Sequence, residues 1–217
     1  LKLWCLGWKD NIPSLPPLPK AGYRISSLIF NNALYVFGVG GSSDYVLSLD
    51  VTNAKTENVK KRKWVQLASI PDVPFKPLPV AYGQSIFLFD GGAGGDCIKE
   101  AQMYNPHLDH WTMISPMPLA CSGGAAVLLN ETIYVFGGEV QCAMAYCPVN
   151  DQWRVLSPPS NRFIDASAVA WQGKLLVNGN GCFEEYDPQT DSWTQKPEFA
   201  LKGKALMLAT FTEIPRG

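Results

Sequence analysis

Three segments of this chain are written to one pattern: Tyr104-Asn-Pro-His-Leu-Asp-His-Trp111, Tyr146-Cys-Pro-Val-Asn-Asp-Gln-Trp153 and Tyr186-Asp-Pro-Gln-Thr-Asp-Ser-Trp193. Each keeps a Tyr, a Pro two residues on, an Asp five on and a Trp seven on, and the tryptophans stand 42 and 40 residues apart. A period near 40 carried by aromatic anchors and glycine pairs marks a repeat architecture, in which no unit can bury its own apolar face and each must be covered by a neighbour. That pattern constrains the fold far more tightly than it constrains the function.

The units between these anchors read as β-sheet. Helical periodicity is nearly absent, and short β-branched and aromatic runs alternate with Gly and Pro. In the clearest unit, Gly123–Leu129 is small and apolar throughout, as suits an inner strand covered on both faces. Asn130-Glu131-Thr132 turns the chain, Ile133–Phe136 runs back to Gly137-Gly138, and Gln141–Tyr146 and Trp153–Leu156 complete four strands. The same order fits residues 20–72, 73–118, 119–159 and 160–200. Leu1–Leu6 with Trp8 and Pro13–Pro19 reads as the last two strands of a further unit, and Lys204–Phe211 with Thr212–Pro215 as its beginning. Residues 1–19 and 201–217 are therefore expected to share a fifth sheet, closing a ring without an unpaired edge. The expected fold is all-β: one domain of five four-stranded antiparallel sheets, at about 43 residues each.

Composition removes several functions. Net charge is −1 and only 17% of residues are charged, which gives no overall pull toward nucleic acid or an anionic membrane. The longest apolar stretches, such as Ala125–Leu129, fall far short of a membrane span. The first residues carry neither a signal-peptide pattern nor an initiator Met, so a domain of a longer protein is expected. Six cysteines (Cys5, Cys97, Cys121, Cys142, Cys147, Cys182) stand without a CxxC pair, in a chain apolar enough to do without cross-links. Free, mostly buried thiols and a reducing compartment are expected.

Chemistry-bearing clusters are few. His107 and His110 share one hairpin turn with no Cys nearby, and Cys142 and Cys147 face opposite sides of one strand, so neither pair is expected to hold a metal. No cofactor is expected. The glycine pairs suit a tight exit from the second strand rather than a phosphate cradle, because no helix N-terminus follows them. Lys60-Lys61-Arg62-Lys63 reads as a solvated hairpin, with a phosphate, acidic-peptide or nuclear-import contact as the alternative. No GxSxG elbow and no clustered carboxylate pair supports catalysis.

A glycine pair after the second strand, followed by the spaced Tyr and Trp, resembles the kelch repeat over nearly the whole chain. The resemblance implies the blades of a β-propeller. There are departures: Gly38-Val39 replaces the pair in the first full unit and Asn178-Gly179 in the last, and Leu49 stands where the Tyr belongs. An insertion of about 8 residues, Asn53–Lys60, lengthens the hairpin before Trp64. Six blades are also commoner among kelch propellers than five.

In a propeller the loops that lead into each inner strand, and those joining second and third strands, gather round the mouth of the central channel, and loops on a rigid scaffold carry function. Kelch substrate receptors are similar in placing polar and Arg residues just ahead of the inner strand. On this sequence the resemblance puts Tyr23, Arg24, Phe75, Lys76, Ser122, Arg162, Phe163 and Lys202 there, with Glu139 and Asn180 on the second-to-third-strand loops. Such a mixture of aromatics and cations suits a protein or peptide carrying acidic or hydroxyl groups. The chain is most similar to the kelch domain of BTB-kelch proteins. That likeness implies a non-catalytic substrate-recognition module, joined to a cullin-RING ubiquitin ligase through a BTB domain absent from this chain. It also implies an intracellular setting, cytoplasmic or nuclear, with no nucleic acid and no membrane as partner. The alternatives are an actin-associated cytoskeletal scaffold and a propeller enzyme such as an epimerase or oxidase. A copper-radical oxidase would need separate His and Tyr ligands and a cross-linked Cys, which two histidines in one turn do not supply.

Overall fold

The computed structural model describes residues 15–20, 22, 24–39, 44–52, 61–72, 76–89, 99–121, 123–138 and 141–199. They form four four-stranded antiparallel sheets. The first holds β1 (Arg24–Phe30), β2 (Ala33–Val39), β3 (Tyr45–Asp50) and β4 (Val65–Gln66), and the second β5 (Leu78–Tyr82), β6 (Ser85–Phe89), β7 (Ala101–Asn105) and β8 (His110–Ile114). The third holds β9 (Gly124–Leu129), β10 (Thr132–Gly137), β11 (Cys142–Cys147) and β12 (Gln152–Val155), and the fourth β13 (Ser167–Trp171), β14 (Lys174–Gly179), β15 (Cys182–Asp187) and β16 (Ser192–Gln195). Strands within each sheet are ordered as in the chain. The innermost strands β1, β5, β9 and β13 lie against one another in series, so the sheets stack as blades of a β-propeller. The described residues contain four blades; of the residues 1–19 and 201–217 expected to share a fifth sheet, 15–19 are described and form no strand, and 1–14 and 201–217 lie outside the described residues, as does the insertion Asn53–Lys60.

The faces between blades are built alike three times. In each of the first three blades the second strand turns two aromatic rings toward the next blade: Tyr35 and Phe37, Phe87 and Phe89, Tyr134 and Phe136. The first ring meets the repeat Tyr of the following blade, with centroids 6.4 Å apart for Tyr35–Tyr104, 5.9 Å for Phe87–Tyr146 and 6.1 Å for Tyr134–Tyr186. The second meets the repeat Trp, at 6.4 Å for Phe37–Trp111, 5.5 Å for Phe89–Trp153 and 5.0 Å for Phe136–Trp193. Such pairs contribute about 0.5–1.5 kcal/mol each beyond the area they bury.

The polar atoms of the repeat act as a clasp. Trp Nε1 donates to a carbonyl just past the preceding blade's outer strand: Trp111 to Ala68 O at 3.1 Å, Trp153 to Ser115 O at 2.8 Å, Trp193 to Ser157 O at 2.7 Å. The repeat Asp takes the N–H of that same residue, Asp109 from Ala68 at 2.8 Å, Asp151 from Ser115 at 2.9 Å and Asp191 from Ser157 at 3.1 Å. The repeat Tyr donates its hydroxyl to that carboxylate at 2.6, 2.7 and 2.7 Å. The second, third and fourth blades thus each grip one residue of the blade before by both its N–H and its C=O. The three aspartates have left-handed backbone, φ 47, 54 and 49, which Asp tolerates better than most side chains. In the first blade Trp64 Nε1 still donates, to Pro16 O at 3.2 Å. Pro16 has no N–H to offer, and this blade has Leu49 in place of the Tyr.

These bonds set an acid limit. The Ala68 N–H and then the Tyr104 hydroxyl hold the Asp109 carboxyl below its ordinary range, and the Tyr186 hydroxyl leads the same effect at Asp191. At Asp151 burial is the largest influence and pushes upward, but the Tyr146 and Ser115 hydrogen bonds together outweigh it. Carboxyls depressed in the folded state contribute stability above their unfolded pKa, about 4, and that stability is lost as pH falls through the depressed folded values. The melting midpoint is expected to stay level from about pH 7 to 5 and to drop below about pH 4. The triple variant Asp109→Asn, Asp151→Asn, Asp191→Asn should show a shallower acid limb by calorimetry. An equally steep limb would assign acid lability to other carboxyls.

Candidate functional site

One end of every blade gathers the starts of the inner strands and the ends of the second strands, because the registers pair Arg24 with Val39, Leu78 with Phe89 and Gly124 with Gly137. At this end the loops leading into blades two, three and four are tied together. Lys76, just ahead of β5, forms an ion pair with Asp165, just ahead of β13, reaching across the third blade. The passage runs over Gly123 (φ 73), where a Cβ would stand 3.4 Å from Lys76 Nζ and 3.7 Å from Asp165 N. Ala166 N donates to Gly123 O at 3.0 Å, and Gly138 N to Phe163 O at 2.7 Å. The glycine exit from β10 exists for this approach: a Cβ on Gly137 (φ 86) would lie 2.9 Å from Phe163 O.

Two buried polar side chains hold the loops from below. Gln102 on β7 donates to Asp72 O at 2.5 Å and accepts from Asp72 N at 3.4 Å. Glu184 on β15, fully buried, accepts the N–H of Ser160 at 3.0 Å and of Asn161 at 2.7 Å, and the Asn161 side-chain amide as well. Both stand two residues before the repeat Tyr, where Leu47 and Met144 supply core side chains in the other blades. Asn180 Nδ2 donates to Arg162 O at 3.1 Å and pins the loop from the side. Among the described residues this end of the blades carries the polar side chains Lys76, Arg162, Asp165 and Asn180.

No family model matches the chain. Kelch-like protein 23 of Pongo abelii is 24% identical over 198 residues, covering 86% of this chain and 34% of that protein. Kelch-like protein 35 of Mus musculus is 26% identical over 196 residues, covering 85% of this chain and 32% of that protein. The chain resembles the kelch-like proteins. It spans about a third of the length of the curated relatives it matches. The solved structure of YjhT aligns with a TM-score of 0.68 over 84% of this chain and 66% of that one at 18% identity, a likeness of fold.

Of the rim residues expected from the kelch-like pattern, Arg24, Lys76, Arg162 and Asn180 stand at the mouth end, Arg162 and Asn180 exposed. Tyr23, Phe75, Ser122, Glu139 and Lys202 lie outside the described residues. Phe163 is a correction: it is fully buried between the third and fourth blades, 6.4 Å from the Trp193 ring, and offers no surface to a partner. Its carbonyl is engaged by Gly138 N, which fixes the side chain under the rim. Asp165 and Glu184 were missed. Glu184 had a signal, since it shares the core-facing parity of Tyr186 on β15, where an acid is rare unless it is paired. Asp165 had none.

The expectation of free thiols is also corrected in part. Cys121 and Cys142 form a disulfide with Cα atoms 6.0 Å apart, tying the loop ahead of β9 to the start of β11. Gly124 makes room for it, because a Cβ there would fall 2.4 Å from Cys121 Sγ. Cys147 and Cys182 are free thiols. In the basic run, Arg62 closes its own hairpin, pairing with Asp50 Oδ1 at 3.2 Å and donating to Asp50 O at 2.7 Å. That favours the structural reading of that residue.

Proposed function

We propose that this domain is a non-catalytic protein-recognition module that takes a peptide or protein at the propeller mouth. The observation that carries the reading is the rim itself: Lys76, Arg162, Asp165 and Asn180 brought to one end and held by buried Gln102 and Glu184. A polar rim with cations suits charge-assisted hydrogen bonds to acidic or hydroxyl-bearing side chains. Tyr23, Arg24, Phe75, Ser122, Glu139 and Lys202 belong to the same proposed surface, and Phe163 acts beneath it. The likeness to kelch-like proteins supports the further reading that the domain is the substrate receptor of a BTB-kelch adaptor for a cullin-RING ligase, acting inside the cell. Among the described residues no helix is long and apolar enough to cross a membrane.

The test is a double variant, Lys76→Ala with Arg162→Ala. The Lys76–Asp165 pair is solvent-exposed, and such pairs are worth about 0–1 kcal/mol, so the melting midpoint should barely move. Proteins retained by the wild-type domain from cell extract should be lost by the variant, and by a full-length chain carrying it. Retention of the same proteins by the double variant would reject the mouth as the binding surface. Recovery of a cullin with the full-length protein, and its loss on removing the segment upstream of the propeller, would carry the ligase reading.

A further inference from the structure

In each of the four blades a side chain from the third strand ties down the loop ahead of the inner strand. In the first, Tyr45 Oη donates to Lys20 O at 3.2 Å. In the second, Gln102 holds Asp72, and in the fourth Glu184 holds Ser160 and Asn161. These three ties are hydrogen bonds. In the third blade Met144, buried in the core, stands at the position of Gln102 and Glu184, and the tie is the Cys142–Cys121 disulfide instead. The fourth blade repeats only half of the pair. Cys182 stands 40 residues beyond Cys142, as Tyr186 stands 40 beyond Tyr146, but 42 residues beyond Cys121, the interval from Leu129 to Trp171, stands Phe163. Cys182 is accordingly a free thiol.

The covalent tie sits where the loops of two blades lean on each other. Cys121 lies two residues ahead of Gly123, whose carbonyl takes the Ala166 N–H at 3.0 Å and over which Lys76 reaches Asp165. Cys142 opens β11 opposite Gly137, and the neighbouring Gly138 donates to Phe163 O at 2.7 Å. The bond therefore clamps the third blade at both points on which the loop carrying Arg162 and Asp165 rests. The reduced pair fits as well. Both sulfurs belong to the core between the second and third blades. A thiol on Cys121 has acceptors in place, Gly137 O at 3.4 Å and Phe136 O at 3.7 Å from Sγ, so breaking the bond leaves that S–H satisfied. Inside a cell small thiols oppose permanent cross-links, and a pair that closes there answers to the redox state.

We propose that Cys121 and Cys142 are a reversible redox tie on the third blade, closed by exchange with a small disulfide such as glutathione disulfide and opened by the corresponding thiol. Cys121 is the sulfur that meets the small molecule, because it lies on a loop while Cys142 is held in β11. Its thiolate attacks the small disulfide, forming a mixed disulfide and releasing one small thiol. The Cys142 thiolate then attacks Cys121 Sγ, which forms the protein disulfide and releases the second small thiol. The protein gives up two electrons and two protons, and the small disulfide takes them up as two thiols. Opening reverses both steps. The closed form holds the loop that carries Arg162 and Asp165, and the open form loosens it, whatever the mouth binds. The intracellular setting belongs to the functional reading above; the tie and its chemistry do not depend on it.

A redox titration of the whole chain tests it. Equilibrated in glutathione buffers from fully reduced to fully oxidised, then alkylated and mapped by mass spectrometry, Cys121 and Cys142 should pass from dithiol to disulfide and back. Cys182→Ser should leave that transition where it is. Hydrogen exchange on the two forms should show the peptides holding the Gly138 and Ala166 amides exchanging roughly ten-fold faster in the dithiol, with β2 and β14 unchanged. Cys142→Ala should exchange at the dithiol rate in both buffers; if that variant fails to fold, the unaltered chain in the two buffers still decides. A pair that stays oxidised across the series is a fixed cross-link and overturns the proposal. A pair that stays reduced overturns it too, as does equal exchange at Gly138 and Ala166 in the two forms. Each of these outcomes leaves the test of the mouth by Lys76→Ala with Arg162→Ala standing.

Discussion

Trp111→Ala is expected to lower stability by about 3–5 kcal/mol, enough to unfold much of a marginal domain. The indole is 6% exposed, lies against Phe37 and Tyr104, and carries the only side-chain bond to the Ala68 carbonyl among the described residues. Truncation therefore leaves a cavity between two blades and an acceptor without its donor. Trp111→Phe separates the two losses: it keeps most of the packing and removes the bond, so about 1–2 kcal/mol should go. Trp153 and Trp193 are only partly buried, so their Ala variants should cost less than Trp111→Ala. Chemical denaturation of the three variants gives the ranking, and equal losses would show that ring burial is not what sets the strength of the joint.

Glu184→Leu is expected to cost about 2–4 kcal/mol and to weaken partner binding at the same time. Its carboxylate is buried and collects the Ser160 and Asn161 backbone donors and the Asn161 amide, so Leu would strand all three in an apolar place. Arg162 follows directly, so release of this loop displaces a rim cation without touching it. Glu184→Gln keeps an acceptor and should cost less than half as much. If Glu184→Leu loses stability but binds its partners normally, the loop ahead of β13 is not part of the recognition surface.

The blade repeat was legible because its Tyr, Asp and Trp are side chains with a fixed spacing. The clasp was not, because its receiving half consists of the N–H and C=O of Ala68, Ser115 and Ser157, and a backbone group leaves no mark in a sequence. The kelch-like pattern found the loop that holds Arg162, yet a place in a pattern cannot tell a side chain that points outward from one that points into the core, and Phe163 is fully buried. Lys76 was found without its partner, since Asp165 lies 89 residues away and only the stacking of blades joins them. The cysteines failed for a different reason. Composition speaks to whether a fold needs a cross-link, whereas the Cys121–Cys142 bond depends on Gly124 leaving space beside it.

The clasp also has a direction. The repeat Asp and Trp of the second, third and fourth blades all reach back toward the N-terminus, so each of these blades completes its grip only on one that already exists. A chain emerging from the ribosome presents its sheets in that order, and most of its contacts join residues within one blade or the next. Assembly can proceed as a row of ratchet steps, each newly made sheet locking the one before it.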